Sequence, residues 1–338
     1  MSEVGPWFPT SPCGTHCLPR PGNLPRAGPL CRIRRLTVVA TLLCCGVLLA
    51  GAFPLLPAPF RGYLGRIWCH GMLTGLGVRL RVRGNPAPGG RGSLVVSNHV
   101  SWLDVVALQA VGPVRMLAKA QVRDWPLLGG LAARCGTLFV DRARLRLLPQ
   151  VVEGVADALR SGATVGVFPE GTTRCGRAPG RYRPALFQAA LEADAWIRPV
   201  TLRYRLGPEP TTVAAFVGEE TLLRSLPRVL AVHGLVVELF LGAPFPARSA
   251  VQEGNDGGRN GDERGVGEGR AGPRRRLAAR CAAVVESVTA HEPIPGGGWT
   301  CSGLDVAGSS GERIERSPRD RGDTEPATTG VVVESTLP

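Results

Sequence analysis

The sequence holds no Cys-x-x-Cys pair, no Gly-x-Ser-x-Gly elbow and no Gly-x-x-x-x-Gly-Lys loop. The first absence removes the common zinc and dithiol frameworks, the second a lipase-type serine nucleophile, and the third a loop for cradling ATP phosphates. Aromatic residues make up only 5% of the 338 positions, and no finger, RNA-recognition or helix-turn-helix signature occurs, which argues against nucleic acid as a partner. Acidic residues are short as well: 27 Asp and Glu face 40 Lys and Arg, leaving a formal charge of +13. With 44% hydrophobic residues available for a core, that excess suits an anionic membrane surface.

Ten cysteines are scattered along the chain. Cys13, His16 and Cys17 lie close together in a proline-rich leader, but without a second ligand pair they are not expected to hold zinc. Cys44 and Cys45 fall in an apolar run, where thiols pack as small hydrophobes. Reduced thiols and a cytosolic setting are the resulting expectation.

Residues 1–31 are rich in Pro, Gly and Cys without periodicity and read as a disordered leader. Arg32, Arg34 and Arg35 then precede the uncharged stretch 36–53, which as a helix would span about 27 Å. A transmembrane or re-entrant anchor, a secretory signal ending at Ala50-Gly51-Ala52 and a buried core helix all fit that run. Arg61, Arg66, Arg79, Arg81 and Arg83 follow on its other side. Charge on both flanks favours a hairpin with both ends on one face, its second arm at 67–82, and makes 32–83 the anchoring region.

From 84 to 247 strand-like and helix-like stretches alternate. Strands are predicted at 94–96, 114–118, 137–140, 163–168, 197–203, 213–217 and 235–241, and helices at 102–110, 125–135, 145–160 and 184–193. Such alternation specifies an α/β domain, a mixed central sheet covered by helices, with ligands taken up on the loops after strands. At 248–276 the composition turns to Gly, Asp, Glu and Arg and reads as a disordered linker. An amphipathic helix at 277–290, packing on the core or the membrane, and a polar tail at 291–338 complete the chain.

One stretch of the 84–247 unit carries chemistry: Ser97-Asn98-His99-Val100-Ser101-Trp102-Leu103-Asp104, at the end of a predicted strand. A histidine and a carboxylate five positions apart cannot share a helix face, because five steps of about 100° leave them roughly 140° apart. They meet only if His99 lies in the turn before a helix. There Asp104 can receive one ring N–H and leave the imidazole as a general base for a hydroxyl. Ser101 reads as a helix cap before it reads as a nucleophile, and Asn98 as a residue that fixes the turn. Three further stretches follow in order: Gly136-x-x-Phe139-Val140-x-Arg142, then Phe168-Pro169-Glu170-Gly171-Thr172, then Arg198-Pro199-Val200-Thr201-Leu202.

In order and spacing these four stretches resemble the motifs of the glycerolipid acyltransferase family typified by lysophosphatidic acid acyltransferase. The resemblance implies His99 as the base, Asp104 as the group that orients it, and Lys119 and Arg142 as cations for a phosphate-bearing acceptor. It also implies acceptor binding at Glu170, Gly171, Thr172 and Arg174. The donor would be acyl-CoA or acyl carrier protein, a thioester already activated, so neither an acyl-enzyme nor a cofactor nor a metal is expected. The implied activity is acylation of a membrane lysophospholipid, lysophosphatidic acid to phosphatidic acid, at the cytoplasmic face of the cell membrane. One departure bears on the acceptor: Thr173 stands where the common phosphate-acceptor version has an arginine, and the arginine here is Arg174. That variant accompanies other lysolipids, lyso-ornithine lipid among them. A third alternative is a non-catalytic membrane-binding protein on the same fold.

Overall fold

The computed structural model describes residues 11–52 except 21 and 23, then 55–85, 92–125, 128–140, 145–249 and 272–290. Arg142, most of the expected linker and the expected tail lie outside the described residues. Among the described residues nine strands build one sheet: β1 (Val78–Arg83), β2 (Ser93–Ser97), β3 (Arg115–Lys119), β4 (Leu138–Val140), β5 (Thr164–Val167), β6 (Trp196–Leu206), β7 (Glu209–Pro210), β8 (Leu235–Leu241) and β9 (Phe245–Pro246). The main order is β1-β8-β6-β2-β5-β3-β4, with β7 and β9 paired to β6. Pairing is parallel from β6 through β2, β5 and β3 to β4, whereas β8 runs antiparallel to β6 and takes β1 beside it in parallel. The sheet is mixed, as predicted.

Central strands of such a sheet are covered on both faces and therefore read as unbroken apolar runs. Ser93-Leu-Val-Val-Ser97 is buried at every position. One face packs under α1 (Pro29–Ala52), α2 (Ala58–Leu76) and α3 (Leu103–Val111), with Leu73, Leu76 and Leu103 fully buried. The other packs under α5 (Leu148–Arg160), α6 (Phe187–Glu192) and α8 (Pro273–Ala290). Leu277, Cys281 and Val285 of α8 are inserted in that second core, so the expected C-terminal helix rests on the protein. Two more helices are α4 (Leu128–Arg134), which meets α1, and α7 (Leu222–Leu230), whose Val229 and Leu230 are buried in the first core.

Four expectations are corrected. Residues 11–31, expected within a disordered leader, pack on the domain where they are described: Cys13, Cys17 and Ala27 are buried, and Ala27 N donates to Ala231 O at 2.8 Å. Residues 78–82 are not part of a helical arm: the second arm is α2, which stops at Gly77 in the left-handed conformation (φ +77°), and Val78 begins the edge strand β1. Alternation of Val78, Leu80 and Val82 with Arg79, Arg81 and Arg83 has a period of two, which is a strand pattern. Residues 213–217 do not form a strand but a buried loop whose carbonyls are satisfied by a side chain. Arg228 donates to Val213 and Ala215 at 2.8 and 2.7 Å while it also binds Glu220. Arg35 is not a flanking charge at a membrane surface either. It is buried, and its guanidinium donates to the carbonyls of Leu230 and Val232, capping the end of α7.

Beyond that docked foot, α1 and α2 form the expected hairpin. Trp68 Nε1 donates to Leu42 O at 2.7 Å, and Gly46 makes room for the indole, since a Cβ there would sit 2.7 Å from Nε1. Only 22% of the apolar window in Pro29–Gly51 is buried, against the reading as a core helix. Leu48, Leu55, Phe60 and Tyr63 stand exposed around the hairpin tip. Among the described residues α1 alone is long and apolar enough to cross a membrane.

Candidate active site

Because β2, β5 and β3 are parallel, the residues after their C-terminal ends gather at one end of the sheet. His99 follows β2, Glu170 follows β5, and Lys119 closes β3 in an exposed position beside Val140 of β4. Arg142 lies two residues beyond Val140, outside the described residues. Of the predicted site residues, the fold brings His99, Asp104, Glu170 and Arg174 into direct contact, with Gly171 and Thr172 between the last two.

The His99 ring is one-fifth exposed, and Nδ1 lies 2.9 Å from Oδ2 of Asp104. Asp104 sits in the first turn of α3, fully buried, and its side chain reaches back over the turn that precedes it. Oδ2 also accepts the backbone N–H groups of Val100 and Ser101 at 2.6 and 2.8 Å, while Oδ1 accepts the Tyr204 hydroxyl at 2.6 Å. Four donors thus hold one carboxylate, and the helix N-terminus favours its charge. Burial and the adjoining carboxylate push the Tyr204 phenol well above its ordinary pKa, so it stays a donor. Below the imidazole, Phe168 stacks at 3.9 Å between centroids with only 7° between planes. The ring is therefore fixed in orientation, with Nδ1 turned to Asp104.

Asn98 behaves as an extra rung of the sheet. Its amide donates to Leu202 O at 3.0 Å and accepts from Leu202 N at 2.8 Å, which holds the turn against β6. Ser101 is completely buried, and its hydroxyl oxygen accepts the Leu103 N–H, consistent with a cap and remote from nucleophilic duty.

Glu170 couples the second motif to the first. Oε2 accepts the backbone N–H of His99 and Oε1 that of Gly180, each at 2.9 Å, while the Arg174 N–H donates to His99 O at 2.7 Å. Burial raises the Glu170 carboxyl to about 7, opposed by those two N–H donors and by Arg174. Gly171 takes φ +76°, the turn conformation open to glycine. Thr173 is turned inward, with Oγ1 donating to Phe216 O at 2.6 Å. Tyr204, Phe168 and Gly180 were missed in the sequence as site residues. Phe168 was visible within its motif, but nothing local marks Tyr204, a hundred positions from Asp104. A cavity of about 300 Å³ lies beside this cluster, lined by Val100, Leu202, Tyr204, Cys175, Arg177 and Glu286. His99 does not line it.

The Acyltransferase family profile matches residues 79–203. Over 192 residues the chain is 38% identical to the lyso-ornithine lipid O-acyltransferase of Pseudomonas aeruginosa, covering 56% of this chain and 72% of that one. The chain belongs to the glycerolipid acyltransferase family. This acyltransferase is also 40% identical over 136 residues to the 1-acyl-sn-glycerol-3-phosphate acyltransferase of Neisseria meningitidis, a match spanning 40% of this chain and 53% of the other. The crystal structure of the 1-acyl-sn-glycerophosphate acyltransferase PlsC from Thermotoga maritima shares the fold, with a TM-score of 0.54 at 16% identity over 77% of this chain and 95% of that one.

Proposed function

We propose that this acyltransferase moves a fatty acyl group from acyl-CoA or acyl carrier protein to the free hydroxyl of lysophosphatidic acid, giving phosphatidic acid at the cytoplasmic face of the membrane. The observation that carries the reading is the His99–Asp104 pair at 2.9 Å. His99 Nε2 takes the hydroxyl proton as the acceptor oxygen attacks the thioester carbonyl. Asp104 stabilises the imidazolium so formed. Collapse of the tetrahedral intermediate breaks the C–S bond, and the departing thiolate recovers the proton from His99. The thioester supplies the driving force, so the chemistry needs no cofactor. Lys119, Arg142 and Arg174 are assigned to the acceptor's anionic headgroup.

A second reading, acylation of lyso-ornithine lipid, is favoured by one observation. Thr173 occupies the position of the usual arginine and is committed to Phe216 O, which removes a cation from that place in the acceptor loop. Similarity to the Pseudomonas aeruginosa enzyme supports it as well. The two separate when purified protein in detergent is given labelled acyl-CoA with lysophosphatidic acid, lyso-ornithine lipid or lysophosphatidylcholine. Labelling of lysophosphatidic acid that vanishes in His99→Ala supports the first reading, and labelling of lyso-ornithine lipid alone replaces it with the second. Turnover retained in His99→Ala overturns the general-base assignment for both.

A further inference from the structure

Cysteines 13 and 17, dismissed in the sequence for want of further ligands, meet a third one in the fold. The sulfurs of Cys13, Cys17 and Cys175 all lie within 4.8 Å of one another, and all three residues are buried. We propose that these thiols form a three-thiolate zinc site that fastens the N-terminal segment to the loop carrying Glu170 and Arg174.

The segment is placed for this by contacts other than sulfur. A 3-10 turn at Thr15–Cys17, closed by Cys17 N to Gly14 O at 3.0 Å, turns Cys13 and Cys17 to the same side. Ser11 Oγ donates to Thr173 O at 2.8 Å, and Thr212 Oγ1 donates to Cys17 O at 2.7 Å. The two chain segments are thus already docked before any ion enters. Zinc at about 2.3 Å from each sulfur sets neighbouring sulfurs roughly 3.8 Å apart. The observed cluster needs to contract by no more than about an ångström, within reach of side-chain rotation alone.

Backbone N–H groups already point at two of the sulfurs. Cys175 N donates to Cys13 Sγ at 3.2 Å, and the backbone N–H of Arg177 bonds the Cys175 sulfur. Such N–H groups stabilise sulfur-centred negative charge and orient metal ligands. Three thiolates with one divalent zinc carry a net charge of minus one. Arg174 and Arg177 lie one and two positions from Cys175 in the chain, and the Nε of each is buried without a hydrogen-bond partner. Without an ion, the hydrogen bond with Cys13 and burial hold the Cys175 thiol far above its ordinary pKa. Zinc binding releases thiol protons to solvent and leaves the fourth tetrahedral position to water.

The consequence is mechanical. The ion would tie residues 13–17 to Cys175, one residue from Arg174, whose backbone N–H holds the carbonyl of His99. The test uses the full chain in detergent, stripped of metal and fully reduced, and titrated with cobalt(II) under exclusion of oxygen. Expected is a saturable thiolate-to-cobalt charge-transfer band reaching about one equivalent, displaced by zinc, and lost in Cys13→Ser and Cys175→Ser but kept in Cys135→Ser. Zinc should also raise the unfolding midpoint of the wild type by about 5 °C and leave that of Cys13→Ser unmoved. Absence of the band in the reduced wild type overturns the site without recourse to any variant. A mass two daltons low in air-purified protein, localised to a Cys13–Cys175 or Cys17–Cys175 peptide, would likewise replace it with a disulfide.

Discussion

Tyr204 gives its hydroxyl proton to Asp104 Oδ1 at 2.6 Å, so the carboxylate that orients His99 is held by a side chain from β6 as well as by its own turn. The two halves of the dyad's support come from positions a hundred residues apart. Replacing Tyr204 by Phe keeps the ring and removes one charged hydrogen bond, which should cost about 1–2 kcal/mol of stability. It should also lower kcat by several-fold with little change in either KM, because the loss falls on the orienter of the base. An unchanged kcat at reduced stability would make Tyr204 a packing residue only.

Asp104→Asn should cut kcat by about a thousandfold or more while the protein still binds membranes, since an amide cannot hold His99 in the same tautomer. Steady-state kinetics with both substrates check this. Activity within tenfold of wild type would remove Asp104 from the proton path.

Glu170 makes stability depend on pH. Its carboxyl keeps a proton to about pH 7 in the folded chain against 4.5 ordinarily, because burial outweighs its N–H donors and Arg174. Between those values the folded state binds more protons than the unfolded one. Its contribution is therefore complete below pH 4.5 and is lost as pH rises through 7, by roughly 3 kcal/mol. Denaturant unfolding across that window should show a downward slope that Glu170→Gln flattens. The slope is the readout, since Gln also mismatches one of the two N–H donors.

Gly180→Ala should weaken acceptor use selectively. A Cβ at this position would lie 2.5 Å from Arg174 Nε and 2.7 Å from Glu170 Oε1, forcing both aside. A several-fold rise in acceptor KM is expected with donor KM nearly constant, and an equal rise in both would mean that the loop serves the donor too.

Leu48→Arg combined with Phe60→Arg should shift the protein from the membrane pellet toward the soluble fraction. Both side chains are exposed, at 77% and 53%, so the fold loses little. Unchanged sedimentation would leave the +13 surface, and not the hairpin, as what holds the protein to lipid.

Local pattern was enough for much of this molecule. Unbroken apolar runs at 94–96 and 163–168 become the buried strands β2 and β5, and the five-residue spacing of His99 and Asp104 permits only a turn before a helix, which is where they are. The uncharged run marks the hairpin, but its second arm is Ala58–Leu76, not 67–82, because the period-two residues from Val78 belong to β1. Residues 213–217 looked like a strand because burial selects the same apolar residues whether a ladder or Arg228 satisfies the backbone. Tyr204, Phe168 against the imidazole, Arg35 on the end of α7, and Cys175 beside Cys13 and Cys17 are contacts over long sequence separation. Sequence determined the elements and the order of the motifs, since period and turn chemistry are local. Which strands lie side by side, and therefore which distant side chains hold the base and which thiols meet, was decided only by the sheet order β8-β6-β2-β5, a property of global packing that no single segment encodes.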